Sequence, residues 1–360
     1  MAAPAAVTHG WLASRWARLN GPQRIGGVDL ARGLAVFGMI AAHLLWITDP
    51  FEWTDASTWI AVVDGRSSIL FATLAGVSIG LVTGGRTPLS GPALGDARLR
   101  LVVRAFALWI IGSLLILTRV PVLIILPAYA ILFLLAIPLL SLRARVLFPL
   151  AGGLAIVMPF VQVRLDDVPL WQTISGHDFG LLIGWDYPFP VWIAFVAAGL
   201  GVARAGVLRV SVQLWMLGAG ALLAAIGYTL GVSGDPGSVW SADPHSSGLF
   251  EVIGSGGFAI AAIAACLLLC RTVLTWVVLP LRAVGSMPLT AYTAQILVWA
   301  VVADVVIGDA RDLAAFRELD PFWPLSISVL VGCTVWALVV GRGPLEWLID
   351  RVARLVSTRR

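Results

Sequence analysis

Residues 28–43 read VDLARGLAVFGMIAAH, and this stretch decides the class of protein. It sits in an apolar run over 27–47, and about 20 such residues cross the hydrocarbon core of a bilayer. Yet it carries Asp29, Arg32 and His43. An ionisable side chain inside a membrane span is costly and needs a reason. Arg32 and His43 are eleven residues apart. At ~100° per residue that step returns to within about 20° of the same helix face, about 16 Å further along the axis. The two do not touch; they mark one polar stripe running along the helix. Asp29 stands three residues before Arg32 and is placed to pair with it. Gly33 and Gly38 let another helix or a ligand approach closely. Two readings are open. Asp29 and Arg32 form a snorkelling interfacial pair with His43 a capped histidine at the outer edge, or the stripe lines a functional channel.

Working outward, nine further segments have spanning length: 60–83, 101–118, 120–140, 146–163, 188–207, 211–232, 252–272, 286–307 and 322–341. Arg119 and Pro121 divide the third span from the fourth, and Arg143 with Arg145 ends the fourth. With the N-terminus in the cytoplasm, 18 arginines fall on inside segments and 4 on outside ones, the other two being Arg32 and Arg66. That asymmetry is the positive-inside pattern of a correct span count. The expectation is an all-α, polytopic membrane bundle of about ten transmembrane helices with both termini cytoplasmic. It has a lead-in over 1–24, partly an amphipathic helix around Trp11–Leu19, one membrane domain over 25–342 and a basic tail over 343–360. Three outside loops, 48–59, 164–187 and 233–251, are acidic, and Trp46, Trp53, Trp59, Trp171, Trp185, Tyr187 and Trp240 edge them as an interfacial belt.

Composition agrees. The chain has 360 residues, 59% hydrophobic and 12% charged, with a mean hydropathy of +0.93. A soluble domain carries about 25% charged residues, so soluble, disordered and nucleic-acid-binding classes are excluded. All 24 basic residues are arginine, which excludes Schiff-base lysine chemistry. Cys266, Cys270 and Cys333 lie in apolar runs and read as small hydrophobes, not as a disulfide framework.

Two more clusters join the stripe. The first is DGRSS, Asp64–Ser68, at the start of the second span. It is either an ordinary helix start with Asp64 as cap, or it aims Arg66 into the bundle to balance anionic or oxyanion charge. The second is PHSSGLFEVIGSGG over 244–257, with His245, Ser246, Ser247 and Glu251 at the outer mouth of the eighth span. His43 and His245 then share the outer side. Neither spacing is a zinc motif, so no metal is expected. An imidazole there suits a general base that takes a proton from an attacking hydroxyl or amine, and Glu251 is placed to orient it. His177 in SGHDFG reads as loop surface and Asp304 as an acid without an assigned role.

DLARGLAVFGMIAAH followed by DGRSSILFATLAGVSIGL resembles the transmembrane acyltransferase superfamily, which includes heparan-α-glucosaminide N-acetyltransferase-like and acyltransferase-3 proteins. The closest likeness is to an actinobacterial branch, continued in YPFPVWIAFVAAGLGVAR (187–204), PHSSGLFEVIGSGGFA (244–259), VGSMPLTAYTAQILV (284–298) and GPLEWL (343–348). Arg32, ten residues, then His43 resembles the acyltransferase-3 site signature. The glucosaminide acetyltransferases share D-x-x-R-G but carry Asn where His43 stands and a histidine in the next outer loop, where this chain offers Asp55. Gln295 stands where a histidine often follows LTxYxx. The resemblance implies transfer of an acyl group, usually acetyl, from cytoplasmic acyl-CoA to a glycan or glycolipid of the cell envelope, at the outer face of the plasma membrane. Under it His43 is the base, Arg32 and Arg66 serve charge, and His245 binds acceptor or is a second base. Arg32, Asp29, Arg98 and Arg100 favour the acyl-CoA phosphates, and Asp64, Ser67, Glu251 and Ser246 meet the acceptor. Membrane lipid and a second copy of the chain are the remaining candidate partners. The rival reading is a polytopic transporter or lipid flippase without acyl-transfer chemistry.

Overall fold

The computed structural model describes residues 11–21, 24–52, 54–235 and 237–357. Residues 1–10 of the lead-in, Trp53, Arg359 and Arg360 lie outside the described residues, as do the side chains of Trp11 and Arg18. The described chain is helical, with one isolated bridge between Val232 and Ser241 and no strand. The helices are α1 (Trp11–Asn20), α2 (Gly26–Leu44), α3 (Arg66–Val82), α4 (Gly91–Ile116), α5 (Leu126–Ala136), α6 (Ala144–Asp166), α7 (Ile174–Ile183) and α8 (Phe189–Ala205). They continue with α9 (Val210–Leu230), α10 (Leu249–Leu269), α11 (Leu274–Val277), α12 (Leu279–Ser286), α13 (Pro288–Val306), α14 (Leu313–Glu318), α15 (Phe322–Val339) and α16 (Pro344–Ser357).

Eight helical segments are long and apolar enough to cross a membrane, and two shorter apolar ones, Leu126–Ser141 and α8, accompany them. Each of the ten segments expected from sequence falls on one of these. The backbone breaks inside them are new. The second span is a 3₁₀ helix, Ala56–Val63, followed by α3. Between them Gly65 adopts φ +63°, a left-handed conformation that costs glycine little. The fourth span starts at Leu126, six residues late, because Arg119 turns left-handed at φ +58° and Pro121 follows. It ends in a 3₁₀ turn, Ile137–Ser141, around Pro138. The expected outer loop 164–187 contains α7, and the expected tail forms α16, amphipathic, with one face on α4 and α13.

The layering follows from where backbones approach. α2 packs on α12 through Gly33 and Gly285: a Cβ on Gly33 would overlap the Leu281 carbonyl, and one on Gly285 the Asp29 carbonyl. Such contact needs small residues and is how helices associate where lipid offers no hydrophobic drive. α2 and α3 are mostly buried, whereas α4, α6 and α9 turn most of their apolar surface outward. The charge-bearing stripe of α2 therefore lies inside the bundle. α2 also fixes two ends: Arg24, Asp29 and Arg32 at one, His43 at the other.

Candidate active site

Two cavities open at opposite ends of α2. The first, about 280 Å³, gathers Arg24, Arg32, Ser78, Arg104, Tyr129, Tyr292 and Glu346 among apolar side chains of α3, α4, α5 and α16. Asp29 anchors its cations. One carboxylate oxygen accepts from Arg24 Nε at 2.6 Å and the other from Arg32 Nη1 at 3.2 Å. Arg32 Nη2 donates to Ser78 Oγ at 2.5 Å, and that hydroxyl donates back to the Leu74 carbonyl. Glu346 of α16 caps α13: its carboxylate accepts from the backbone N–H of Leu289 at 2.8 Å and of Thr290 at 3.1 Å, and from the Thr290 hydroxyl at 2.5 Å. These are donors a helix start otherwise leaves unpaired.

Three sequence expectations change here. Asp29 does pair with Arg32, but it lies behind the wall as a counter-ion, not on the cavity surface. Arg98 and Arg100 are exposed and do not line the cavity; Arg100 Nε donates to Ser357 Oγ at 3.2 Å. Arg104, further along the same helix, lines the cavity instead.

The second cavity, about 250 Å³, is lined by His43, Asp64, Ser67, Ser68, Tyr187, His245 and Arg317. Both histidines expected at the outer end meet here. His245 Nε2 lies 3.3 Å from Asp64 Oδ1, and its ring stands edge-on to Tyr187 at 6.4 Å. Among the described residues the His43 ring makes no hydrogen bond; it packs 6.4 Å from Trp299, and its carbonyl accepts from Arg317 Nε at 3.1 Å and Nη2 at 2.9 Å.

Glu251 does not touch the His245 ring, contrary to the sequence reading. It holds the turn that carries it. Its carboxylate accepts the backbone N–H of His245 at 2.7 Å and of Ser247 at 2.6 Å, and the Ser246 hydroxyl at 3.3 Å. His245 and Ser247 are both left-handed, at φ +63° and +53°. Ser246 is thus part of the turn and lies off the cavity wall. Burial works against the His245 imidazolium, yet the bond to Asp64 and the carboxylates of Glu251 and Asp186 outweigh it, so its pKa is raised above the ordinary 6.5.

Arg66 is also displaced from its expected role. Its Nε donates to Tyr228 Oη at 2.8 Å and its Nη1 to the Ala61 carbonyl at 3.0 Å, with the guanidinium 4.6 Å over the Tyr228 ring. It joins α3 to α9 behind the cavity and lines neither one. Asp55 is an exposed cap that accepts from Ser57 N at 2.9 Å. His177 and Asp304 are exposed, and neither lines a cavity.

The cavities share a wall. Val122 and Leu123 line the second, Ile125 and Leu126 the first. Tyr129, on the first, donates to the carbonyl of Ser68, on the second, at 3.3 Å.

A bundle of this length and apolarity is a multi-pass membrane protein. Residues 24–231, more than half of the chain, match the family model described as "Heparan-alpha-glucosaminide N-acetyltransferase, catalytic". The chain belongs to this family of membrane acyltransferases. Residues 201–355 match a second model, "Protein of unknown function (DUF418)". No curated protein matches the chain.

Proposed function

We propose that this protein moves an acyl group, acetyl first among them, from acyl-CoA in the arginine-lined cavity to a hydroxyl or amine of a cell-envelope glycan or glycolipid in the histidine-lined cavity. The observation that carries this reading is the pair of cavities back to back across one partition, cationic on one side and imidazole-bearing on the other. The positive-inside asymmetry supports an orientation with the arginine cavity on the cytoplasmic side, where acyl-CoA is found. Guanidinium groups suit its phosphates.

The chemistry needs a base, an oxyanion donor and little water. His43 is the base, its ring free of any carboxylate hydrogen bond. His245, held toward its imidazolium form by Asp64, donates through its other nitrogen to the oxyanion, the role Arg66 is not placed to take. The acceptor O–H or N–H attacks the thioester carbonyl carbon and gives its proton to His43. The new C–O or C–N bond forms, the C–S bond breaks, and His43 returns the proton to the CoA thiolate. Two histidines in opposed environments thereby divide proton transfer and oxyanion stabilisation.

The test is incubation of purified protein with radiolabelled acetyl-CoA and membrane glycolipid extract. Label is expected in the lipid fraction with wild type and not with His43→Ala or His245→Ala. Full transfer by His43→Ala, or no transfer by wild type, defeats the proposal.

A further inference from the structure

Four polar side chains on α13 have an atom without a hydrogen-bond partner among the described residues: Thr293, which is half-buried, and three that are buried. Tyr292, Gln295 and Trp299 are all buried, at 3%, 2% and 2% exposure. Among the described residues none of the three donates a hydrogen bond: the phenol O–H, the amide Nε2 and the indole Nε1 are all without an acceptor. An unpaired donor in a membrane interior costs about 1–3 kcal/mol, so three in a row call for an explanation.

Their placement supplies one. The spacing i, i+3, i+7 keeps them within about 60° of one helix face. Tyr292 lines the arginine cavity. Trp299 packs against the His43 ring, which lines the other cavity. The row therefore starts at one cavity and ends against a wall residue of the other, with Gln295 and Trp299 themselves lining neither. All three offer donors, so the missing partner supplies acceptors.

We propose that this row is the track for the pantetheine arm of the acyl-CoA donor, each side chain donating to one carbonyl: Tyr292 and Gln295 to the two amides and Trp299 to the thioester. The inference rests on the acyl-CoA reading above. The distances agree. The arm's two amide carbonyl carbons are four bonds apart and the second lies five bonds from the thioester carbon, roughly 5 Å and 6 Å when extended. The donors rise along α13 by about 4.5 Å and then 6 Å. In this register the thioester oxygen reaches Trp299 beside His43, and the Trp299 N–H joins His245 as a second oxyanion donor. A charged or donor-rich cargo would leave the row unpaired; a chain of spaced carbonyls pairs it completely.

The experiment measures Kd for acetyl-CoA and for free CoA on the purified full chain in detergent, with Tyr292→Phe, Gln295→Leu and Trp299→Phe. Free CoA keeps both amides and lacks the thioester carbonyl. Tyr292→Phe and Gln295→Leu are expected to weaken both ligands roughly three- to tenfold. Trp299→Phe is expected to weaken acetyl-CoA by that factor and leave CoA unchanged. The ratio of the two constants within one variant is insensitive to any misfolded fraction. Ligand-free Tm should hold for Tyr292→Phe, which deletes a donor that has no partner, whereas Trp299→Phe also removes buried ring volume stacked on Phe316 and is read through the ratio of constants. If wild type binds neither ligand, the acyl-CoA reading fails. If wild type binds and all three variants bind as tightly, the track is wrong and the row is hydrated. If Trp299→Phe weakens CoA as much as acetyl-CoA, the register is wrong.

Discussion

Glu251→Gln tests how the site presents His245. The carboxylate receives two backbone N–H bonds, at 2.7 and 2.6 Å, from a turn in which His245 and Ser247 are both left-handed. Each left-handed non-glycine residue costs about 1–2 kcal/mol. A hydrogen bond to a charged group contributes about 1.5–3 kcal/mol. The two terms are of similar size, so the turn persists only while both bonds do. Glutamine keeps one acceptor oxygen and turns an N–H₂ toward a backbone N–H, which removes one bond and adds a repulsion. The turn should then open by about 2 kcal/mol or more, leaving His245 in place only a few per cent of the time. The assay is transfer of labelled acetyl to extract, with kcat and KM for acetyl-CoA separated. The kcat is expected to fall about 30-fold or more while KM for acetyl-CoA holds, because Glu251 lies at the far end from the donor cavity. Ser247→Gly in the same chain relieves one left-handed residue and should recover part of the loss, which a purely structural defect at α10 would not show. Wild-type kcat in Glu251→Gln, or no recovery with Ser247→Gly, refutes the reasoning.

Asp64→Asn removes the carboxylate that favours the His245 imidazolium, so the His245 pKa falls. Activity that needs the charged form declines as pH rises through this pKa, and the declining limb should move to lower pH in the variant; an unmoved limb counts against His245 as the donor. The same pair stabilises the fold: a raised folded pKa gives a contribution fully present below about 6.5 and lost as pH rises through the folded value. Wild-type Tm should therefore drop over that window by more than the Tm of Asp64→Asn does. Arg104→Met should raise KM for acetyl-CoA about tenfold with little change in kcat, as expected of a phosphate contact, whereas Arg98→Met should change neither. Gly285→Val would drive a side chain into the Asp29 carbonyl; thermal melts should show a loss of several degrees, and an unchanged Tm would mean that α2 and α12 separate easily.

The fold was legible because a membrane imposes period and length on sequence. Ten apolar runs became eight long and two short apolar helices with boundaries mostly within a few residues, except at α4 and α5. α4 starts earlier, at Gly91, because the polar stretch GPALGDARLR continues the helix beyond the apolar run that hydropathy marks, and α5 starts later, at Leu126, because local backbone chemistry at Arg119 and Pro121 decides inside an apolar run. At the site, His43 and His245 were legible as histidines at corresponding depths, and Asp29 with Arg32 as a spaced pair. Their partners were not. Arg66 and Glu251 looked exposed to chemistry because each sits beside a candidate, but the side-chain direction follows from distant residues, Tyr228 for one and the 245–247 turn for the other. Arg317 gave no sequence signal beyond being one of four outside arginines, and Arg104 was one of several in its segment. Tyr292, Gln295 and Trp299 share a helix face in sequence, but their lack of acceptors exists only once neighbours surround them.

Neither half of the chain makes a site alone. The acetyltransferase family model ends at residue 231. Within it lie Arg32, Arg104 and Tyr129 of one cavity and His43, Asp64 and Tyr187 of the other. The segment beyond it supplies Tyr292 and Glu346 to the first and His245 and Arg317 to the second. The Asp64–His245 contact crosses that boundary, as do the Arg317 bonds to the His43 carbonyl. His43 on α2 and His245 before α10 line one cavity together with Gly65, the residue before α3, where a side chain would press on Pro244 and on the Glu251 carboxylate. The segment of unknown function therefore closes both cavities, and any chemistry assigned to the first part of the chain depends on side chains from the second.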